Sequence, residues 1–331
     1  RKPSPEEVKV HPLGPSPSVN RSSATGKTAQ YGLPSHGFFL LGAISLLWGI
    51  NWPIMKIALS AIPLWTFRML CLVFGGIGLL TLVKASGLSL TIPKRDLRPL
   101  LLVSLINVTG WHFFSAQALV YMNAGRGSII AFTMPVWAAI LSSFMLKERL
   151  TTGRLVGLGL GIAGLTILIG PDIKTLGFAS AGAVLMLVAS ILWAAGTVST
   201  KYFDWKMPTA LLAGWQLILG GIPIIIGALI FDPITTISRL SWESTLAMTF
   251  IILGPVIFCQ WAWFKVISLF PTTLASIGTL LIPIIGVFSS ALVLGEPVGL
   301  QELTALALVV MAMAIVMVRP EGLRHKLDQH D

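Results

Sequence analysis

The chain has 331 residues, of which 55% are hydrophobic and only 11% are charged, and its formal net charge is +10. Its mean hydropathy is +0.85, whereas an ordinary soluble domain carries about 25% charged residues. A soluble protein of this size cannot cover its surface with so few charges. The composition therefore excludes a soluble enzyme, a nucleic-acid-binding protein and a disordered protein, and it indicates an integral membrane protein.

Ten apolar segments are long enough to cross a bilayer as helices, which takes about 20 residues each. The segments are continuous apolar runs, which excludes a transmembrane barrel with its short alternating strands. We therefore predict an all-α integral membrane protein with ten transmembrane helices. Spans 1 to 10 are predicted at residues 37–57, 63–83, 99–121, 127–146, 153–170, 178–200, 208–230, 245–266, 272–294 and 301–318.

The distribution of Lys and Arg between the spans predicts the orientation in the membrane. Residues 1–34 are rich in Pro and Ser and contain no apolar run, so we predict a disordered tail there. If that tail is cytoplasmic, thirteen Lys and Arg residues of the following chain fall on the cytoplasmic side and four on the opposite side. We therefore predict a multi-pass protein of the inner membrane with both tails, 1–34 and 319–331, in the cytoplasm.

The two halves of the chain carry the same residues at a nearly fixed offset. Trp48 and Trp193, and Lys56 and Lys201, are 145 residues apart, whereas Pro135 and Pro283, and Glu148 and Glu296, are 148 residues apart. Each half holds five spans, an odd number, so the second copy enters the membrane in the opposite sense. We predict two inverted five-helix repeats, at 37–170 and 178–318, an arrangement typical of secondary transporters.

Two signatures within these repeats resemble those of a known family. Leu47-Trp48-Gly49-x-Asn51, with Lys56 after it, resembles the opening of the EamA half of the drug/metabolite transporter (DMT) superfamily. The segments from Pro135 to Glu148 and from Pro283 to Glu296 resemble its closing signature. Over residues 38–318 the chain resembles EamA-type ten-span transporters, and among them most the YddG-type amino-acid exporters. The resemblance implies the export of amino acids.

Two polar residues lie within spans at matching positions. His112 in span 3 and Gln260 in span 8 are 148 residues apart, and both have aromatic neighbours in the sequence. Polar side chains at this depth face either a cavity or a partner on another helix. One interpretation is that both residues line a shared central cavity and hold a polar substrate. The other is that they form hydrogen bonds between packed helices.

A charged residue, Arg68, and two prolines also lie inside predicted spans, where such residues are unusual. Arg68, near the outer end of span 2, is predicted either to bind an anionic group of the substrate or to extend its charge to the membrane surface. Pro135 and Pro283 lie mid-span, and each removes a backbone donor and frees a carbonyl one turn earlier. Matched interruptions of this kind indicate spans that line the transport path, so we predict this role for spans 4 and 9.

Aromatic side chains with a few polar groups suit a pocket for a small amphipathic molecule. Packing against other helices or against lipid is the alternative for each aromatic residue. The Trp residues within the repeat signatures and beside His112 and Gln260 are therefore the candidates. The predicted substrate-binding or cavity-lining residues are Trp48, Asn51, Trp111, His112, Ser115, Pro135, Trp193, Gln260, Trp263 and Pro283.

The sequence shows no catalytic motif and no spacing of metal ligands, so we predict no enzyme activity, no metal and no cofactor. The carboxylates of residues 37–318 fall at span ends or in loops, which argues against a proton pump with an embedded carboxylate. We therefore expect exchange without obligatory proton coupling.

The sequence predicts a secondary transporter that exports small metabolites, amino acids by resemblance, through a central cavity by alternating access. The expected partners are a small-molecule substrate and membrane lipid, and not nucleic acid. A monomer is expected, because both repeats lie in one chain. Two alternatives remain open, an exporter of cationic or aromatic drugs from the same superfamily and a membrane-embedded transferase enzyme.

Overall fold

The computed structural model of the chain describes residues 35–175, 178–232, 240–270, 275 and 278–317. The predicted tails, 1–34 and 319–331, lie outside these residues. Within the described part, nine helical stretches are long and apolar enough to cross a membrane, and a shorter apolar helix covers Leu281–Leu294. The predicted class, an all-α integral membrane protein, is confirmed. The count of ten spans stays a prediction, because much of the first half of span 9 is not described.

The helices agree with the predicted spans but divide three of them. Spans 3, 4 and 8 each consist of two α-helices, and span 9 is represented by α12. In chain order the helices are α1 (Ser35–Ala61), α2 (Leu64–Ala85), α3 (Leu97–Ser104), α4 (Trp111–Tyr121), α5 (Ala124–Ala131), α6 (Met134–Met145), α7 (Thr152–Thr175), α8 (Phe178–Tyr202), α9 (Thr209–Phe231), α10 (Trp242–Ile251), α11 (Cys259–Leu269), α12 (Leu281–Leu294) and α13 (Leu300–Met317).

Spans 3 and 8 each contain a π-helical segment, which the sequence analysis did not predict. These segments are Leu105–Gly110, between α3 and α4, and Ile252–Phe258, between α10 and α11. The helices that follow them, α4 and α11, have 11 residues each and begin 148 residues apart, at Trp111 and Cys259. The match in backbone shape therefore has the same offset as the match between the two prolines. Such segments are rare and often mark functional sites.

Helices α2 and α9, which are equivalent in the two halves, pack closely and run antiparallel. Gly227, near the end of α9, lies beside Trp65 at the start of α2, and Gly214 lies beside Leu80 towards the other ends. A Cβ atom on Gly227 would lie 2.2 Å from the Trp65 ring. Only glycine therefore permits this separation of the two backbones, as is common where membrane helices meet.

The equivalent helices α7 and α13 are also antiparallel. Gly157 lies beside Val316, and Gly164, further along α7, lies beside the carbonyl of Ala305, earlier in α13. The small residues of span 5 thus serve helix packing here. Antiparallel pairing of equivalent helices is the arrangement that an inverted repeat produces. It supports the predicted inversion, although the superposition of the whole repeats stays a prediction.

Carboxylates from each half bind backbone N–H groups of the other half. Asp232, which follows α9, accepts hydrogen bonds from the N–H of Thr66 at 2.7 Å and from its hydroxyl at 2.8 Å. Asp96, which precedes α3, accepts a bond from the N–H of Lys206 at 2.9 Å. Thr66 lies in the first turn of α2, where N–H groups have no partner within their own helix. The carboxylate supplies that partner.

Candidate functional site

Four of the predicted tryptophans form two facing pairs. The rings of Trp48 and Trp263 have centroids 6.1 Å apart and join span 1 to span 8. The rings of Trp111 and Trp193 have centroids 4.7 Å apart and join span 3 to span 6. Span 1 corresponds to span 6 and span 8 to span 3, so the two pairs join equivalent spans, and Trp48 and Trp193 are equivalent residues; Trp111 corresponds to Cys259, one turn before Trp263. The indole N–H of Trp48 also donates to the carbonyl of Pro255, at 3.0 Å, within the second π-helical segment.

Arg68 is buried in the helix bundle, and its side chain does not extend to the membrane surface. The residue is 3% exposed, its Nε donates to the carbonyl oxygen of His112 at 2.8 Å, and its Nη2 donates to Oγ of Ser115 at 2.9 Å. The snorkelling alternative is therefore wrong, because α4 supplies partners for the guanidinium inside the bundle. Residue Ala213 occupies the equivalent position of the second half, so this arrangement belongs to one half only.

Three buried polar side-chain atoms have no hydrogen-bond partner within the described part of the chain. They are Nδ1 of His112, Oδ1 of Asn51 and Oγ of Ser290. A buried polar group without a partner costs free energy, so such atoms indicate a place where water or a ligand binds. Two of the three belong to residues that the sequence predicted to line the path.

Gln260 and His112 occupy equivalent places in the two halves, and no hydrogen bond joins them among the described residues. Each is the second residue of the α-helix that follows a π-helical segment. Gln260 is partly buried. The predicted cavity shared by both residues stays a prediction.

Pro135 divides span 4, and the carbonyl that it frees is bound by another helix. It is the second residue of α6, and α5 ends at Ala131, four residues earlier. The hydroxyl of Ser190 on α8 donates to the carbonyl of Ala131 at 3.0 Å. This freed group therefore serves the contact between spans 4 and 6. Pro283, its equivalent, is buried in the first turn of α12.

Lys56 and Glu296 hold the ends of helices from other spans together at one end of the bundle. The ammonium of Lys56 donates to the carbonyls of Leu119 and Met122, the latter at 2.9 Å, where α4 ends. Glu296 accepts hydrogen bonds from the first two N–H groups of α5, those of Ala124 at 2.7 Å and Gly125 at 2.9 Å. A cation at a helix C-terminus and an anion at a helix N-terminus are both favourable.

The equivalent residues at the other end make different contacts. Lys201 corresponds to Lys56 and is 66% exposed, and its ammonium bonds to Glu148 at 2.6 Å. Within the described ranges this is its one polar partner, and no carbonyl of α11 is bonded to it. Arg154 also bonds to Glu148, at 2.6 Å, and these two hydrogen bonds lower the pKa of the Glu148 carboxyl to about 2. The bundle is therefore asymmetric between its ends.

An apolar groove of about 390 Å³ lies beside the first π-helical segment, between spans 2, 3, 6 and 7. Its walls include Trp65, Phe113, Leu192 and Pro223, and none of the ten predicted site residues lines it. Across the described ranges, no three His, Cys, Asp or Glu side chains are close enough together to hold a metal ion.

Comparisons with known proteins agree with this architecture. The model of the EamA-like transporter family matches residues 35–170 and again residues 180–318. The chain is 24% identical over 285 residues to a probable amino-acid metabolite efflux pump of Salmonella typhimurium, a match that covers 84% of this chain and 93% of that protein. It is 24% identical over 218 residues to the aromatic amino acid exporter YddG of Ancylobacter novellus, covering 64% and 74% of the two chains.

A solved crystal structure has the same fold. Its sequence is 20% identical to this chain, the TM-score is 0.60, and the match covers 85% of this chain and 96% of the other. The helices long enough to span a membrane and the two family matches, which together include most of the chain, lead to one assignment. The protein is a multi-pass membrane protein that belongs to the EamA-like transporter family of the drug/metabolite transporter superfamily.

Proposed function

We propose that the protein exports amino acids and related small metabolites across the bacterial inner membrane as a secondary transporter that works by alternating access. Membership of a transporter family supports transport, and two relatives named for amino-acid efflux support the substrate class. Since both repeats lie in one chain, a monomer holds the whole path. The distribution of Lys and Arg supports the orientation with both termini in the cytoplasm.

The difference between Lys56 and Lys201 is the observation that carries this proposal. In a transporter built from two repeats, one end of the path is closed while the other is open, so equivalent residues have different contacts. Lys56 binds carbonyls at the end of α4 and closes one end. Lys201 is largely exposed and binds none of the corresponding carbonyls of α11 in the described part of the structure. If both termini are cytoplasmic, as we propose, the closed end is the periplasmic one and this conformation faces the cytoplasm.

The path in this proposal passes the two tryptophan pairs. Trp48 with Trp263 and Trp111 with Trp193 offer apolar walls between equivalent spans of the two halves. His112, one residue after Trp111, and Gln260, three residues before Trp263, supply polar groups on the same helices. A mainly apolar pocket with a few polar groups suits an amino acid with an apolar or aromatic side chain.

Counterflow in proteoliposomes tests the proposal. Vesicles loaded with an unlabelled amino acid at high concentration are diluted into the same amino acid carrying a label, and a transporter accumulates the label transiently. We expect accumulation for aromatic or large apolar amino acids, and loss of it in Trp48→Ala. The matched control is Trp242→Ala, since Trp242 is 70% exposed. Absence of counterflow for every amino acid, with correctly folded protein, would refute the substrate class.

The drug-exporter alternative is tested by the same vesicles loaded with a cationic aromatic compound. The buried cation Arg68 disfavours a cationic substrate, because like charges in a medium of low dielectric constant repel strongly. We therefore expect counterflow with amino acids and none with the cation. The opposite pattern would favour the drug exporter.

A further inference from the structure

Arg68 carries a buried positive charge that no carboxylate neutralises within the described part of the chain. The residue is 3% exposed, and its contacts are a carbonyl, a hydroxyl, the thioether of Met55 and the ring of Phe67, 5.0 Å from Cζ to the ring centroid, all of which are neutral. A charge inside a membrane protein is expensive unless an opposite charge or a polar cavity compensates it. Such residues are retained where the charge has a function.

Some N–H donors of the Arg68 guanidinium have no strong acceptor. It offers five N–H groups in a planar fork, of which Nε binds the carbonyl of His112 and Nη2 binds Ser115. Nη1 meets only the Sδ atom of Met55, at 3.8 Å, and thioether sulfur is a weak acceptor. Two bonds to α4 thus fix the plane of the fork, and the Nη1 corner has no oxygen acceptor among the described residues.

Unpaired polar atoms lie on the two helices that contact the Arg68 guanidinium, α1 and α4. Asn51 is four residues before Met55 on α1, so the two side chains share one face of that helix. The buried Oδ1 of Asn51 and the buried Nδ1 of His112 have no hydrogen-bond partner in the described ranges. Free donors on a cation, an amide oxygen without a donor and an imidazole nitrogen that accepts in one tautomer together complement a molecule that has a carboxylate and a separate N–H or ammonium group.

We propose that Arg68 is a substrate-binding residue, which binds the carboxylate of the transported solute while Ser115 positions the guanidinium. Met55 occupies the Nη1 corner in this conformation, and its flexible side chain leaves when the carboxylate arrives. Arginine suits this role because its fork matches the two oxygens of a carboxylate. The substrates are therefore monocarboxylates with an apolar or aromatic group that the tryptophan pairs accept. The assignment rests on the proposed amino-acid transport.

The test compares an amino acid with its own amide, which lacks the carboxylate charge. Binding of both to the purified protein is measured by calorimetry, with the amino acid that gives the strongest counterflow. A hydrogen bond to a charged group corresponds to a preference of about 10- to 150-fold for the acid. We expect that preference in the unchanged protein, its loss in Arg68→Gln and its partial retention in Arg68→Lys. The control Arg95→Gln, at a side chain that is 62% exposed, retains it in full.

The outcomes distinguish the two proposals. If counterflow occurs but the unchanged protein binds acid and amide equally, the carboxylate site is refuted and amino-acid transport stands. If no amino acid shows counterflow, the proposed amino-acid transport is refuted, and the carboxylate site that rests on it is refuted with it. A purely structural Arg68 lowers the thermal stability of Arg68→Gln and leaves the ratio between acid and amide unchanged, which would also refute the site. The comparison of acid and amide binding in the unchanged protein needs no variant. It therefore tests the site even if Arg68→Gln does not fold.

Discussion

Replacing Glu296 with alanine tests whether the contacts at the closed end determine which end of the path is open. Glu296 reaches from the end of span 9 to the first two N–H groups of α5, at 2.7 and 2.9 Å. Alanine leaves both N–H groups without the carboxylate. Because these contacts join spans of different halves, their loss weakens the closed end relative to the open one.

The size of the effect follows from the two hydrogen bonds. A bond to a charged group contributes about 1.5 to 3 kcal/mol, but this carboxylate is only partly buried, and water replaces part of each bond in the variant. Loss of a helix N-cap typically costs about 1 kcal/mol. We therefore expect the two bonds together to contribute about 2 kcal/mol to closure, which is roughly a 30-fold change in the equilibrium between closed and open.

Thiol labelling at the closed end measures this equilibrium. Met122 lies at the end of α4 and is 6% exposed, so a cysteine at position 122 reacts with a maleimide when that end opens. The two native cysteines, Cys71 and Cys259, are both fully buried and contribute little background. When opening and closing are fast relative to labelling, the rate follows the open population, and Glu296→Ala should raise it roughly 30-fold.

The matched control is Glu243→Ala, which removes an exposed carboxylate from the first turn of α10 and should leave the labelling rate unchanged. An unchanged rate in a folded Glu296→Ala protein would contradict the reasoning. So would an equal increase in both variants, because it would reflect general loosening instead of opening at one end.

Three further predictions concern other parts of the chain. Lys201 and Arg154 lower the pKa of Glu148 to about 2, so its ion pairs stabilise the protein fully above pH 4.5, the ordinary glutamate pKa, and less as the pH falls towards 2. The difference in melting temperature between the unchanged protein and Glu148→Gln should therefore shrink from pH 7 to pH 3. A constant difference would contradict this prediction. Ser190→Ala leaves the carbonyl of Ala131 unpaired, so we expect a loss of about 1 to 3 kcal/mol in stability, seen as a lower melting temperature. A cysteine at position 90 should react with an impermeant reagent in inverted vesicles, whose cytoplasmic face is outside, and not in right-side-out vesicles. Labelling in right-side-out vesicles would reverse the proposed topology.

The spans were predictable because crossing a bilayer requires long apolar runs, which any hydropathy reading detects. The two π-helical segments were not predictable, because nothing local distinguishes Leu105–Gly110 from an ordinary apolar helix. Pro255 lies inside the second segment, whereas the first contains no proline. What the sequence does contain is the fixed offset of 148 residues, and the structure has the same offset in the helices that follow the two segments.

The aromatic part of the site was easier to predict than its charged part. The tryptophans of the repeat signatures, Trp48 and Trp193, do each pair with another predicted tryptophan, because spans 1 and 6 pack against the equivalent spans 8 and 3. For Arg68 the sequence left two interpretations, since burial depends on α1 and α4, which are distant in the chain. Lys56 entered as part of the repeat and of the opening signature, without a predicted contact, because its contacts with the end of α4 depend on tertiary structure.

The carboxylates exchanged between the halves make this single chain resemble a dimer of two subunits. Asp232 and Glu296 of the second half complete helices of the first half, and Asp96 of the first half binds the chain ahead of α9 in the second. Each half therefore depends on the other half for partners of some of its backbone N–H groups. The covalent connection between α7 and α8 is therefore not what holds the halves together. The connection keeps the two halves in a one-to-one ratio and removes the entropic cost of associating two separate chains.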